Sequence, residues 1–80
     1  MAIYFFDFRS GDVVSIDDDG VELLDAETTH REALGALGDA ISDAALPGQK
    51  DQHFAVDVRD EIGPVLQITV VLGSVIPRKQ

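Results

Sequence analysis

Aromatic and β-branched residues crowd the segment Ile3-Tyr4-Phe5-Phe6-Asp7-Phe8-Arg9, which predicts a β-strand. Tyr4, Phe6 and Phe8 share one face, and Ile3, Phe5, Asp7 and Arg9 share the other, because side chains alternate along a strand. Ser10-Gly11-Asp12 is a turn sequence, and Val13 to Ile16 returns as a second, shorter strand. Asp17-Asp18-Asp19-Gly20 ends it, and Val21 to Leu24 reads as a short extended link.

The hydrophobic period then changes. Ala26, Ala33, Leu34, Leu37, Ile41, Ala44 and Ala45 recur at helical spacing and predict one amphipathic helix. Asp25 suits the N-cap, since a short carboxylate there accepts from the free amides of the first turn. Glu27 lies close enough to favour the positive end of the helix. His30 borders the stripe and is expected to pack at its boundary. Gly35 and Gly38 each cost about 0.5–1 kcal/mol relative to alanine. Gly38 flanks the stripe and is expected to allow a close approach to a sheet. Leu46-Pro47-Gly48 stops the helix, and Gln49 to Gln52 is a polar loop.

Alternation resumes from His53 to Arg59, with Phe54, Val56 and Val58 on one face and His53, Ala55, Asp57 and Arg59 on the other. Asp60-Glu61-Ile62-Gly63 is a hairpin turn, and Pro64 to Leu72 is the last strand. Leu66, Ile68, Val70 and Leu72 line one side of it; Val65, Gln67, Thr69 and Val71 line the other. The order ββαββ implies a two-layer α+β domain over residues 1–72, with a tail over 73–80. One helix covers one face of a four-stranded, mostly antiparallel sheet. The strand order 2-1-3-4 is preferred to 2-1-4-3, because the first and third strands make natural antiparallel neighbours.

The two hairpins echo each other: Phe6-Asp7-Phe8-Arg9 and Val56-Asp57-Val58-Arg59 both precede a glycine turn. If the helix covers Phe6, Phe8, Val56 and Val58, then Asp7, Arg9, Asp57 and Arg59 lie on the open face. Phe5, His53, Gln67 and Thr69 join them there. This face is the candidate interaction or ligand surface, since aromatic, arginine and polar groups together suit a contact. Opposite charges across antiparallel strands also stabilise a sheet without any function.

Composition narrows the classes. In 80 residues, 15 acidic side chains stand against six basic ones, for a net charge of −9. That balance argues against binding a nucleic-acid backbone or an anionic membrane surface. The absence of cysteine excludes disulfides and thiolate chemistry. No segment has the length of a membrane span, and cytoplasmic residence is the default expectation. No nucleophile elbow, phosphate loop or dinucleotide fingerprint occurs, so neither catalysis nor a cofactor is expected. Placing Gly20 sixth in a calcium loop puts Ala26 in the position of the bidentate glutamate, so Asp17-Asp18-Asp19 reads as a solvated acidic turn. His30 and His53 are too far apart in sequence to suggest a metal pair. A core this small is marginal, and a homodimer is the expected remedy. The resulting expectation is a self-associating interaction or regulatory module. The alternative is an anion or metal sensor in which Arg9 and Arg59 hold a carboxylate or phosphate.

Four stretches also carry a family resemblance: Tyr4-Phe5-Phe6-Asp7-x-Arg9-x-Gly11, Asp17-x-x-Gly20-x-x-Leu23-x-Asp25, Arg31-Glu32-Ala33, and Val58-Arg59-Asp60-Glu61-x-Gly63-x-x-Leu66. Over residues 3–70 the chain resembles an uncharacterised family of short acidic alphaproteobacterial proteins, catalogued as a domain of unknown function. The resemblance implies a bacterial cytosolic protein of ββαββ order and no particular activity. Leu24 stands where the resemblance leads one to expect proline, which implies a looser helix start.

Overall fold

The structure is a computed structural model, and it describes residues 1–45 and 51–73. The expected helix stop at Leu46-Pro47-Gly48, most of the loop before Gln52, and the tail from residue 74 lie outside them.

Strand β1 (Ala2–Ser10) turns through Gly11, at φ +58, into β2 (Val13–Ser15). β3 (Val21–Leu23) precedes helix α1 (Ala26–Ala44), and β4 (Gln52–Arg59) and β5 (Pro64–Leu72) follow it. The sheet order is β2-β1-β4-β5, with every pairing antiparallel. This is the preferred order of the sequence reading.

The ββαββ reading needs one correction. The expected extended link is a strand, β3, which pairs with the start of β1 through Ala2↔Leu23, Ile3↔Glu22 and Tyr4↔Val21. β2 pairs with the end of β1 through Phe8↔Ser15, Arg9↔Val14 and Ser10↔Val13. The Asp17 carboxylate accepts from the Phe6 N–H between these two pairings and from the Gly20 N–H just before β3, which places β2 and β3 on the same edge of β1, and the sheet has five strands in the order βββαββ. Three residues are too few for a visible alternation, so β3 is defined by its partner rather than by its own pattern.

The helix covers the expected face. Ala33, Leu37, Phe54, Val56 and Val58 form the buried core, with Tyr4, Phe6, Phe8, Ile41 and the inner face of β5 packed around them. Phe8 and Phe54 stack with ring centroids 6.4 Å apart. The buried seam of α1 is Thr29-Ala33-Leu37, one step per helical turn. Small side chains at the first two positions let the helix sit close to the sheet. Thr29 is tolerated there because its hydroxyl donates to the Asp25 carbonyl at 2.8 Å.

That seam corrects several expectations. Ala26, Ala44 and His30 are exposed, and Leu34 is half exposed. His30 and Leu34 each follow a seam residue and are turned by about 100° from it, whereas Ala26 and Ala44 are the first and last residues of the helix. Gly38 does not mark a close approach, since a Cβ there would meet nothing within 4 Å. Asp25 caps the helix as expected, its carboxylate accepting from the Thr28 N–H at 2.8 Å.

Candidate functional site

The β1–β4 register sets the geometry of the open face. Asp7 lies directly opposite Asp57, with Phe5 opposite Arg59 and Arg9 opposite Ala55. The repeated Asp-x-Arg unit runs in opposite directions on the two strands, so a local two-fold axis passes between the aspartates. Each arginine therefore reaches diagonally to the carboxylate of the other strand. Arg9 Nε donates to Asp57 Oδ2 at 2.9 Å, and Arg59 Nε donates to Asp7 Oδ2 at 2.9 Å. In both pairs Nη2 makes a second contact at 3.4 Å to the other carboxylate oxygen. Two like charges that would repel across the ladder are thus neutralised crosswise.

The pairs differ in their surroundings. The Asp7 side chain is 13% exposed and that of Asp57 is 35% exposed. Arg59 lies over the Phe5 ring, 4.5 Å from its centroid, and its Nη2 also donates to the Asp17 carbonyl at 2.9 Å. On the other side Gln67, opposite Asp57 on β5, donates its amide to the Asp57 carboxylate.

Asp17 accounts for much of this asymmetry. Its backbone N–H donates to Asp7 Oδ1 at 3.0 Å. Its Oδ2 accepts from the Phe6 N–H at 3.0 Å, at the gap on the β1 edge between β2 and β3. Its Oδ1 accepts from the backbone N–H groups of Asp19 and Gly20 at 3.0 and 3.1 Å. The side chain stands in for a missing strand residue and closes the turn that follows. The solvated acidic turn of the sequence reading therefore holds for Asp18 and Asp19, which are exposed, and not for Asp17. Gly20 is required here: φ is +74, and an added Cβ would lie 2.8 Å from Ile3 Cγ2 and 2.9 Å from Phe5 Cε1.

Electrostatics follow from these contacts. The Arg59 hydrogen bond, reinforced by the Asp17 N–H, holds the Asp7 carboxyl below its ordinary value. The N–H groups of Phe6, Gly20 and Asp19 do the same for Asp17. The bond to Asp7 raises the Arg59 pKa in turn. A carboxylate held ionised by fixed donors is a poor proton acceptor, so neither Asp7 nor Asp17 suits general-base work.

The structure brings six of the eight predicted residues together: Phe5, Asp7, Arg9, Asp57, Arg59 and Gln67. His53 and Thr69 take no part in the described ion pairs; with Arg9 and Val71 they line a depression of about 190 Å³. Another, of about 540 Å³, lies over Asp57, Arg59, Val65 and Gln67. Asp17 was missed, and its signal was the Asp17-x-x-Gly20 spacing of an aspartate-closed turn. Among the described residues no group of three His, Asp or Glu side chains is placed to hold a metal ion. None of their helices is long and apolar enough to cross a membrane.

Fold and face together define a small α+β domain whose helix covers one side of an open antiparallel sheet. The chain belongs to the family described as Domain of unknown function (DUF6894), whose model matches residues 3–71. The residues that carried the resemblance include Asp7, Arg9, Asp17, Gly20 and Arg59, which meet on this face. No curated protein and no solved structure matches the chain.

Proposed function

We propose that this chain is a small protein-interaction module that works as a homodimer. One observation carries the reading: the two edges of the sheet are treated differently. On the β1 side the edge is broken into two three-residue strands, with the Asp17 side chain in the gap. On the other side β5 is nine residues long and contains no charged residue. Among the described residues nothing pairs with its outer edge. Proteins normally blunt such an edge with charge, a bulge or proline, because its free N–H and C=O groups recruit another strand. Pro64 and the irregularity at Val58/Arg59 touch only its first residues. A second chain would supply the missing cover.

The anion-sensor reading has less support. A phosphate or carboxylate ligand would have to compete with Asp7 and Asp57 for guanidinium groups they already hold. Sedimentation equilibrium over a wide concentration range tests the module reading. The expected result is a reversible dimer that is more stable to denaturant at higher protein concentration. A monomer throughout, with concentration-independent stability, refutes it. A thermal shift with inorganic phosphate but no dimer would favour the sensor.

A further inference from the structure

We propose that two copies join through their β5 strands, antiparallel and in full nine-residue overlap, with Ile68 opposite Ile68 of the second copy. This rests on the reading that the chain self-associates, and it adds the surface and the register. The strand is self-complementary in that register alone. On the open face Val65 meets Val71 of the second copy and Gln67 meets Thr69, so apolar pairs with apolar and polar with polar. On the helix face Leu66 meets Val70, and the two Ile68 side chains meet on the axis; Pro64, shifted by the irregularity beside Arg59, falls outside the alternation.

Other registers are worse. A slip of two residues sets Gln67 against Val71, or Val65 against Thr69, of the second copy. A slip of one residue brings the helix face of one copy onto the open face of the other, which a half-covered sheet does not tolerate.

Burial on the helix face supports the same arrangement. Leu66, Ile68, Val70 and Leu72 pack against the core yet are only partly buried, whereas Phe54, Val56 and Val58 on the neighbouring β4 are buried. Among the described residues β5 has no neighbour on its outer side, which accounts for the difference. In full overlap the equivalent residues of the second copy take that position. Opposed residues of paired strands point to the same face, so both helices lie on one side and the sheet becomes continuous across the axis. The two Asp–Arg crosses then lie on one uninterrupted open surface.

Two double variants of equal size test the register. In Q67K/T69K each introduced ammonium lies opposite another across the axis. In Q67K/T69E each lies opposite a carboxylate. Positions 67 and 69 are exposed, so both variants keep the monomer fold, which circular dichroism verifies. Sedimentation velocity should show Q67K/T69K dissociating on the order of tenfold or more readily than wild type, with Q67K/T69E remaining dimeric. Because the chain has no cysteine, I68C should also form an intermolecular disulfide on mild oxidation. A wild-type dimer whose assembly is unchanged in both double variants, with no cross-link at I68C, overturns the β5 interface and leaves self-association standing. Dissociation of both double variants overturns the register. A wild-type monomer overturns both.

Discussion

Removing the Asp17 carboxylate should cost far more than its place in a run of three aspartates suggests. It accepts three backbone N–H groups, from Phe6, Asp19 and Gly20. The Phe6 amide belongs to a half-buried strand, and leaving such a donor unpaired costs about 1–3 kcal/mol. The other two amides lie in or beside an exposed turn and re-pair with water, so their loss adds about 0.5–1 kcal/mol together. Asp17→Ala is therefore expected to destabilise the domain by about 1.5–4 kcal/mol, a large part of the roughly 5–15 kcal/mol that holds a typical domain folded.

Asp17→Asn is the sharper probe. Its amide keeps one oxygen for Asp19 and Gly20 but turns an N–H₂ group toward the Phe6 N–H, setting donor against donor. The expected loss is about 1.5–3 kcal/mol, or about 6–24 °C in Tm for a domain of this size. Urea denaturation gives the free energy, and hydrogen exchange at the Phe6 amide gives the local cause. The folded pKa of Asp17 is depressed, so its contribution is fully present above the ordinary value of 3.8 and is lost as pH falls through the lower folded value. The gap between wild type and Asp17→Asn should therefore close in acid. Wild-type stability in Asp17→Asn at neutral pH, with unchanged Phe6 protection, would refute the reasoning.

Two further outcomes follow from the same geometry. Asp7→Ala should cost about 2–3 kcal/mol and Asp57→Ala about 0.5–1 kcal/mol in denaturant titrations, because Asp7 is the more enclosed and also accepts from the Asp17 N–H; equal losses would contradict it. Gly20→Ala should destabilise by about 2–3 kcal/mol through strain and contact with Ile3 and Phe5, while Gly35→Ala, with open space around its Cβ, should gain about 0.5–1 kcal/mol; thermal unfolding of the two variants separates these signs.

Much of this architecture is legible in the chain. The period-two runs from Ile3, His53 and Pro64 identify three of the strands and divide their faces correctly, because alternation is a local property of extended backbone. Asp25 is recognisable as a cap for the same local reason. The helix face is harder. Ala33, Leu34 and Leu37 all fit an apolar stripe, and only the sheet beneath the helix selects Thr29-Ala33-Leu37 and leaves Leu34 half exposed.

By itself the sequence determined that Asp7 shares a face with Arg9 and Asp57 with Arg59, since the spacing within each strand is even, and the apolar opposite faces led one to expect both pairs on the open side. It could not determine how they pair, because that depends on the register between strands 50 residues apart in the chain. Tertiary structure set aspartate opposite aspartate and so made the ion pairs cross. It also brought Asp17 to the gap on the β1 edge, where a side chain reads as exposed acid until the strand it completes is in place. Face is encoded by neighbours in sequence. Register and edge are encoded by neighbours in space, and they turned four charges into two crossed ion pairs and tied one turn residue to the Asp7–Arg59 pair.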